Sequence, residues 1–227
     1  MEPKRKAEAV IVQLLKAMDD TVLSYHPTVV RTNSTVEGLI QGTAFFPGGA
    51  GLWRGSQNFG EMPEGFPESP IMFVGHNFDS QLAYERSLSN GGEVSGHFWS
   101  RLRGMLKAAG LCSERCFFTN ALMGLKPGSA LGPMPSVAGY KDECRAFLAR
   151  QVEIVDPSTI VALGDDAYLY VRRLEIAHTK LRHPTNRYFN PLITRDVRIR
   201  EEGMKLREFL DTFGLEKSGN QCRTDAV

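Results

Sequence analysis

The chain has 227 residues, and its 27 Lys and Arg against 26 Asp and Glu give a formal net charge of +1. With 42% hydrophobic and 23% charged residues it can bury a sizeable core, which excludes a disordered or fibrous chain. No apolar stretch is long enough to span a bilayer, and the first residues lack the apolar core of a secretory signal, so we predict a cytoplasmic protein without a membrane partner.

The N-terminal part of the sequence divides into a helix and an irregular arm. Apolar side chains recur at helical spacing between Val10 and Met18, which predicts an amphipathic helix over 5–19 within an N-terminal segment 1–25. Residues 26–69 are rich in Gly, Pro and aromatic side chains and predict an extended arm or irregular cap. An irregular stretch of this length is more often functional than idle.

Strands and helices alternate through the predicted core, residues 70–213. The predicted strands are 70–74, 116–120, 159–163 and 178–182, and the predicted helices are 96–110, 137–154, 165–174 and 199–213. This alternation predicts a single α/β domain whose mostly parallel central sheet has helices on both faces. Residues 214–227 are polar and predict a flexible tail.

Three of these strands run into polar loops, at the edge where an open α/β sheet binds its ligand. The loops are Gly75-His76-Asn77-Phe78-Asp79-Ser80, the end of the strand at Asn120, and His183-Pro184-Thr185-Asn186-Arg187. An Asn presents an acceptor and a donor side by side, which reading the Watson–Crick edge of a base requires. A His can stabilise developing negative charge. The pattern predicts a nucleobase site.

The same three loops resemble, in order and spacing, the motifs of the uracil-DNA glycosylase superfamily. That family has a first motif of the form GxDPY or GxNPG, a middle strand ending in Asn, and a late HPSP-like loop; here they read GHNFDS, FFTNALMGLKP and HPTNR. The segment Gly96-His97-Phe98-Trp99 and its helix are also similar to a family element. The resemblance implies a DNA repair hydrolase that flips uracil or a related deaminated base out of single- or double-stranded DNA and excises it. Such an enzyme would be a monomer that needs no cofactor or metal. It would be nucleoid-associated or nuclear.

The resemblance also implies roles for individual residues. His183 would stabilise the departing base anion, and Asn77 would orient the attacking water, because an amide cannot remove a proton. Asn120 would discriminate the base in a pocket that includes Gly75. The alternatives, a His that only bonds its own loop and an Asn that caps a turn, stay open.

The first motif departs from the family pattern. Phe78 stands where Pro is usual, so the geometry that Pro would fix is absent, and Asp79 stands where Gly is frequent. Asp79 is a candidate water-activating carboxylate, and an exposed turn Asp is the alternative. The family's stacking aromatic is replaced by Asn90-Gly91-Gly92-Glu93, which leaves Phe78 or Tyr84 to supply the stacking face.

A basic segment accompanies the third motif. Ten basic and five acidic residues lie between Arg172 and Glu208, a local charge of +5, while the rest of the chain carries −4. A basic face beside a base-reading pocket is typical of a DNA-binding surface, although a solvated helix face explains several of these charges equally well. Arg187 matches the family's wedge position and would fill the gap left by the flipped base. The loop residues predicted to contact DNA with it are Arg182, Pro184 and Asn186.

Two other functions remain open. One is a glycosylase-like DNA-binding or damage-sensing module without activity, which the altered first motif permits. The other is a metal-dependent hydrolase, whose candidate ligands would be His76, Asp79, Asp165, Asp166 and His183. Asp165 and Asp166 are more simply interpreted as the N-terminal cap of a helix. The cysteines, among them Cys116 and Cys144, are predicted to be reduced structural thiols rather than disulfides or cluster ligands.

Overall fold

The computed structural model describes residues 10, 12–14, 16–17, 20–30, 69–78, 80–89, 97–111, 115–129, 132–185 and 194–215. The strands are β1 (Ile71–Asn77), β2 (Cys116–Leu122), β3 (Thr159–Leu163) and β4 (His178–Leu181). The helices are α1 (Gln81–Ser89), α2 (His97–Ala108), α3 (Tyr140–Val155), α4 (Asp165–Val171) and α5 (Arg195–Asp211). The described residues from 10 to 20 are also helical. Most of the predicted arm and tail lies outside the described residues, and the proposed domain boundaries stay predictions.

The four strands form one parallel sheet in the order β2-β1-β3-β4. The chain leaves β1 for β2 on one side and later returns to place β3 on the other side. The carboxyl ends of β1 and β3 therefore flank the point at which the strand order reverses, where ligands bind in open α/β sheets. The sequence-based prediction of an α/β fold with a mostly parallel sheet is confirmed.

Both faces of the sheet are covered, which is why its strands are continuous apolar runs. Met72 and Val74 of β1 pack in one cluster with Phe147 of α3. Phe73 points to the other face and packs in a second cluster with Leu102 of α2 and Leu206 of α5. The predicted helices on both faces are thus confirmed. The thiol side chains of Cys116 and Cys144 are buried in these two cores.

Several element boundaries differ from the predictions. Strand β1 continues past residue 74 to Asn77, because Gly75 and Asn77 still pair with β2. Helix α1 was not predicted, although Ser80 gives its start signal: the Ser80 hydroxyl accepts a hydrogen bond from the Ala83 N–H at 3.3 Å. Helix α5 begins at residue 195 rather than 199, since Thr194 caps it by accepting from the Val197 N–H.

Three other helices are shorter than predicted. Helix α2 ends at Ala108 rather than at 110. Helix α3 begins at Tyr140 rather than at 137, because Gly139 before it has a φ of 84°, which is outside the helical region. Helix α4 ends at Val171 rather than at 174, and turns follow it.

Candidate functional site

The first half of the site is the paired ends of β1 and β2. Gly75 and Asn120 are direct partners in the parallel register. A Cβ on Gly75 would lie 2.6 Å from Oδ1 of Asn120, so only glycine leaves room for the Asn120 amide in its present position. The residue pair therefore sets where the amide oxygen lies.

The other end of the same amide has no partner among the described residues. Asn120 is only 4% exposed, and its buried Nδ2 forms no hydrogen bond with any part of the chain that the structure describes. An unpartnered buried donor costs roughly 1–3 kcal/mol, so a native protein that keeps one needs a reason. A ligand that offers an acceptor at this point would remove the cost. The prediction that Asn120 is only a turn cap finds no support, since it lies within β2.

Asn77 ends β1, on the same strand as Gly75. Its Nδ2 donates to the backbone oxygen of Phe78 at 2.6 Å, which orients the amide and engages one of its two N–H groups. The carboxamide oxygen of Asn77 is the remaining acceptor, the group that can hold a water molecule by an O–H. The neighbouring Asp79, the second candidate for water activation, lies outside the described residues.

The loops after β1 and β2 are tied to each other. The Gln81 N–H donates to the Lys126 oxygen at 2.9 Å, and the Leu82 N–H donates to the Gly128 oxygen at 3.0 Å. The Gln81 side-chain oxygen accepts in return from the Gly128 N–H at 3.1 Å. The start of α1 is thereby bound to the loop that follows β2, which fixes the first and second sequence motifs relative to one another.

The second half of the site is the loop after β4. His183 turns back over the end of β3, where a Cβ on Gly164 would lie 3.1 Å from the His183 Cβ. Gly164 has a φ of 96°, a conformation that favours glycine. Gly164 thus allows the close approach that brings His183 from the β4 end of the sheet towards β1.

The protonation of His183 follows from its contacts. Its Nδ1 accepts from the Thr185 N–H at 3.3 Å and lies 2.9 Å from the Thr185 hydroxyl. An Nδ1 that accepts an N–H carries no proton, so the neutral ring holds its proton on Nε2. Burial lowers the pKa of His183, and nearby His76 lowers it further, while Asp166 acts in the opposite direction. The site therefore holds a neutral imidazole that donates from Nε2.

One aromatic side chain beside His183 was missed in the sequence. The Phe98 ring of α2 lies 5.3 Å from the His183 ring at an interplanar angle of 41°. Phe78, one predicted stacking residue, is only 8% exposed and packs in the apolar cluster under α2 and α5. The side chain of Tyr84, the other candidate, lies outside the described residues. No short sequence pattern distinguishes Phe98 from a core aromatic.

His76 and Asp166 form a second pair at this edge. The His76 Nδ1 lies 3.9 Å from a carboxylate oxygen of Asp166, and burial lowers the pKa of His76 more than Asp166 raises it. The interpretation of Asp165 and Asp166 as a cap is wrong: both lie in the first turn of α4, whose N-cap is Gly164 without a side-chain bond. No group of three potential metal-ligating side chains occurs among the described residues, which gives the metal-dependent alternative no support there.

The predicted DNA contacts are placed in part. Arg182 is exposed and Pro184 is buried, whereas Asn186 and Arg187 lie outside the described residues. The basic segment is less uniformly positive than its composition implies, because acidic partners lie within 4 Å of several of its cations. These ion pairs are Lys180–Asp165, Arg182–Glu202, Lys205–Glu202 and Arg207–Asp211. The alternative of a solvated, charge-paired face therefore explains part of this segment.

Comparison with known proteins gives one family. The family model of the uracil DNA glycosylase superfamily matches residues 62–217, which include all three motif loops and every named strand and helix. No curated protein matches the chain. Among the described residues, no helix is long and apolar enough to cross a membrane. Since the matched region is well over half of the sequence, the chain belongs to the uracil DNA glycosylase superfamily.

Proposed function

We propose that the protein is a monofunctional DNA glycosylase, which hydrolyses the N-glycosidic bond of uracil or a related deaminated base after that base has been flipped out of DNA. Membership of the superfamily indicates a uracil-DNA glycosylase-like function and binding to DNA. The observation that carries the finer proposal is the buried Nδ2 of Asn120, which has no hydrogen-bond partner within the described ranges of the chain.

The Asn120 amide fits the edge that deamination creates. Deamination replaces an exocyclic amino donor by a carbonyl acceptor and leaves a ring N–H beside it. Uracil would accept from Nδ2 through its O4 and donate its N3–H to Oδ1, which lies over Gly75. Cytosine would instead set its amino group against Nδ2, donor against donor. Hypoxanthine and xanthine share the carbonyl edge with uracil, which is why the proposal extends to other deaminated bases.

Bond cleavage sends the electron pair of the C1′–N bond onto the base, whose carbonyl oxygens take up the negative charge. A neutral His183 that donates from Nε2 stabilises this charge, and a fixed donor acts most strongly in a site that excludes water. Water then adds to the sugar carbon, and the proton that it loses passes through solvent to the base anion, so the base leaves in its neutral form. The Asn77 oxygen would hold that water in line but cannot take the proton, so its role is to position the nucleophile.

DNA is the proposed partner, bound by a monomer. The loop after His183 would enter the duplex, with Arg187 in the gap that the flipped base leaves and the rest of the loop, Arg182, Pro184 and Asn186, against the backbone. The buried Pro184 supports this assignment, because it reduces the freedom of the segment that leads to Arg187.

A second candidate is a glycosylase-like module that binds damaged DNA without cleaving it. The observation that favours it is the first motif, in which Phe78 and Asp79 replace the usual Pro and Gly. Phe78 is buried in the core, so its side chain serves packing where the family's Pro would shape the loop.

Release of free uracil from a labelled oligonucleotide tests the proposal. We expect free uracil and an alkali-labile abasic site, formed at the same rate in excess chelator, and no covalent DNA adduct after borohydride. DNA binding without base release would favour the inactive module. Loss of activity in chelator would favour a metal-dependent hydrolase, and a trapped adduct would contradict monofunctional chemistry.

A further inference from the structure

The backbone on either side of His183 is held by two side chains from distant helices. The Arg182 N–H donates to Oε2 of Glu202 in α5 at 2.8 Å. The Pro184 oxygen accepts from Nη1 of Arg101 in α2 at 3.0 Å. His183 is the one residue between these two anchored groups, so both of its peptide neighbours are fixed by contacts outside the loop.

Glu202 is unusual for a helix residue, because it is only 5% exposed. Burying a carboxylate is costly unless its oxygens are paired. Here Oε1 lies 2.7 Å from the Lys205 ammonium and 3.9 Å from Nε of Arg182, while Oε2 receives the Arg182 N–H. One hydrogen-bond partner of the carboxylate is therefore the Arg182 N–H of the loop backbone. An apolar side chain at position 202 would leave that N–H without an acceptor.

The two helices that supply these side chains form a closely packed pair. A Cβ on Gly203 would lie 2.5 Å from the Ala108 Cβ, and one on Gly104 would lie 2.7 Å from a methyl carbon of Ile199. Glycine on each helix thus allows near contact of the two backbones. Because Glu202 adjoins Gly203, and Arg101 lies one turn before Gly104, their spacing is fixed by the packing of α2 on α5.

The position of Arg101 lowers the stability of the fold, because one of its donors is buried without a described partner. Its Nε is buried and has no hydrogen-bond partner among the residues that the structure describes, although its Nη1 donates to the Pro184 oxygen. A buried donor left unpaired lowers stability, and such groups are kept where another constraint decides the geometry. The constraint visible here is the contact with the Pro184 oxygen.

We propose that Arg101 and Glu202 are positioning residues, which clamp the backbone on both sides of His183 and so fix the direction in which its Nε2 donates. This inference rests on the proposed glycosylase function for its catalytic consequence. Its structural content, the fixed and desolvated state of the His183 ring, can be measured without any activity.

The test compares Glu202→Met, which removes the acceptor, with Glu202→Gln, which keeps an acceptor oxygen but loses the charge. Lys205→Met is the control, because it removes an ion pair with Glu202 and leaves the contact to the loop in place. Arg101→Met removes the anchor on the other side. Each protein is assayed for single-turnover base release, for DNA affinity, and for the titration of His183 by NMR.

We expect Glu202→Met and Arg101→Met to slow base release on the order of ten- to a hundredfold at unchanged DNA affinity, since misplacement by about 1 Å costs that much. Glu202→Gln should restore most of the rate. Lys205→Met should stay within about twofold, because Lys205 is half exposed and the contact from Glu202 to the Arg182 N–H remains. If Glu202 only stabilised the fold, its replacement would not slow base release while leaving DNA affinity unchanged.

The NMR titration separates this inference from the proposed function. The groups that face His183 are Phe98, His76, Asp166 and its own loop's Thr185, and none is altered by these variants. In Glu202→Met, release of the loop should expose the His183 ring and raise its titration midpoint towards 6.5. Loss of the nearby negative charge alone would have the opposite effect and lower the midpoint. Glu202→Gln, which loses the same charge, should show no rise.

If the wild-type protein releases no base, the change in the His183 titration midpoint still tests the positioning role of Arg101 and Glu202. The inference is overturned if folded Glu202→Met and folded Arg101→Met both titrate at His183 like the wild-type protein. Should Glu202→Met not fold, Arg101→Met decides the matter by the same measurements when it is compared with Arg101→Gln, which loses the same positive charge but keeps an N–H donor.

Discussion

Asn120 and His183 lie at the same edge of the sheet and are held there in different ways. Asn120 is part of β2, and its position follows from strand register and from the contact with Gly75. His183 lies in a loop that is held by side chains from α2 and α5. The group proposed to read the base is thus fixed by the sheet itself, whereas the group proposed to act on the leaving base depends on the packing of α2 against α5.

The different ways in which Asn120 and His183 are held suit the roles proposed for them. A base-reading amide must not move between one base and another, and a paired strand is among the most rigid places for it. A loop residue can be fixed equally well, but only while its anchors are intact. Substitutions at His183 and its anchors should therefore change the rate alone, whereas substitutions at Asn120 should change base preference as well as rate.

Removing His183 should have the largest effect. We expect His183→Ala to slow single-turnover base release on the order of 10²- to 10³-fold, as for loss of one preorganised donor to a developing anion, without a change in base preference. His178→Ala is the matched control, because His178 starts β4 and its Nδ1 contacts the Ile176 oxygen. Equal losses in the two variants would show that the effect comes from the β4 region in general.

Replacing the base-reading amide should alter rate and preference together. Asn120→Asp loses the amide donor, and a mismatch at a buried hydrogen bond costs about 1–3 kcal/mol, so uracil release should fall by about ten- to a hundredfold. Thr119→Val controls for damage to β2, since Thr119 bonds Gln151 on the opposite face. An Asn120→Asp protein with the wild-type rate on uracil would make Asn120 a structural residue.

Gly75→Ala should reproduce this effect in weaker form. The added Cβ would lie 2.6 Å from the Asn120 oxygen, so the amide must move or the strands must part. We expect a loss of roughly tenfold, and in combination with Asn120→Ala the second substitution should add little, because the two residues act as a unit. Fully additive losses would mean that Gly75 acts independently of Asn120.

Arg187 should affect duplex DNA more than single strands. Only a duplex requires the base to be extruded and its gap filled, so Arg187→Ala should slow release from a duplex several-fold more than from a single strand. A residue that only neutralises a phosphate would lower both rates alike and would reduce the salt slope by about one unit. Rates on both substrates at several salt concentrations distinguish the two roles.

The smallest expected effect is on pH dependence. Burial lowers the pKa of both His183 and His76 below the ordinary value of about 6.5. In this range the unfolded chain binds more protons than the folded one, so the free energy of unfolding should fall as the pH drops through 6.5. Denaturant titrations should show this fall, reduced in His76→Gln, and the acid limb of base release should lie below 6.5. A rate that increases with acidification would mean that a charged His183 acts instead.

Much of the fold could be predicted from the sequence, because a parallel sheet covered on both faces leaves continuous apolar runs such as Ile71–Val74. The first residues of helices were harder to predict from the sequence. Ser80 and Thr194 are ordinary cap residues, and their signals were present but not decisive beside weakly apolar segments. The extension of β1 to Asn77 depends on pairing with β2, which residues 75–77 do not reveal on their own.

The site could be predicted as far as its motifs reach. Asn77, Asn120 and His183 stand out because polar side chains end apolar strands. Phe98, Arg101 and Glu202 could not be found in this way, because each lies in a helix where an aromatic or charged side chain is common. Their meaning depends on the packing of α2 against α5 and of both against the loop, a tertiary arrangement that one sequence does not display.

A comparison of bases in otherwise identical oligonucleotides tests whether Asn120 reads the deaminated edge. Single-turnover release is measured for uracil, hypoxanthine, cytosine and adenine with the wild-type protein and with Asn120→Asp. We predict release of the two deaminated bases and not of their amino parents by the wild-type protein, and a smaller ratio of uracil to cytosine release in the variant. Wild-type release of cytosine or adenine at the rate of uracil or hypoxanthine, or an unchanged ratio in Asn120→Asp, would contradict the claim that Asn120 reads the deaminated edge.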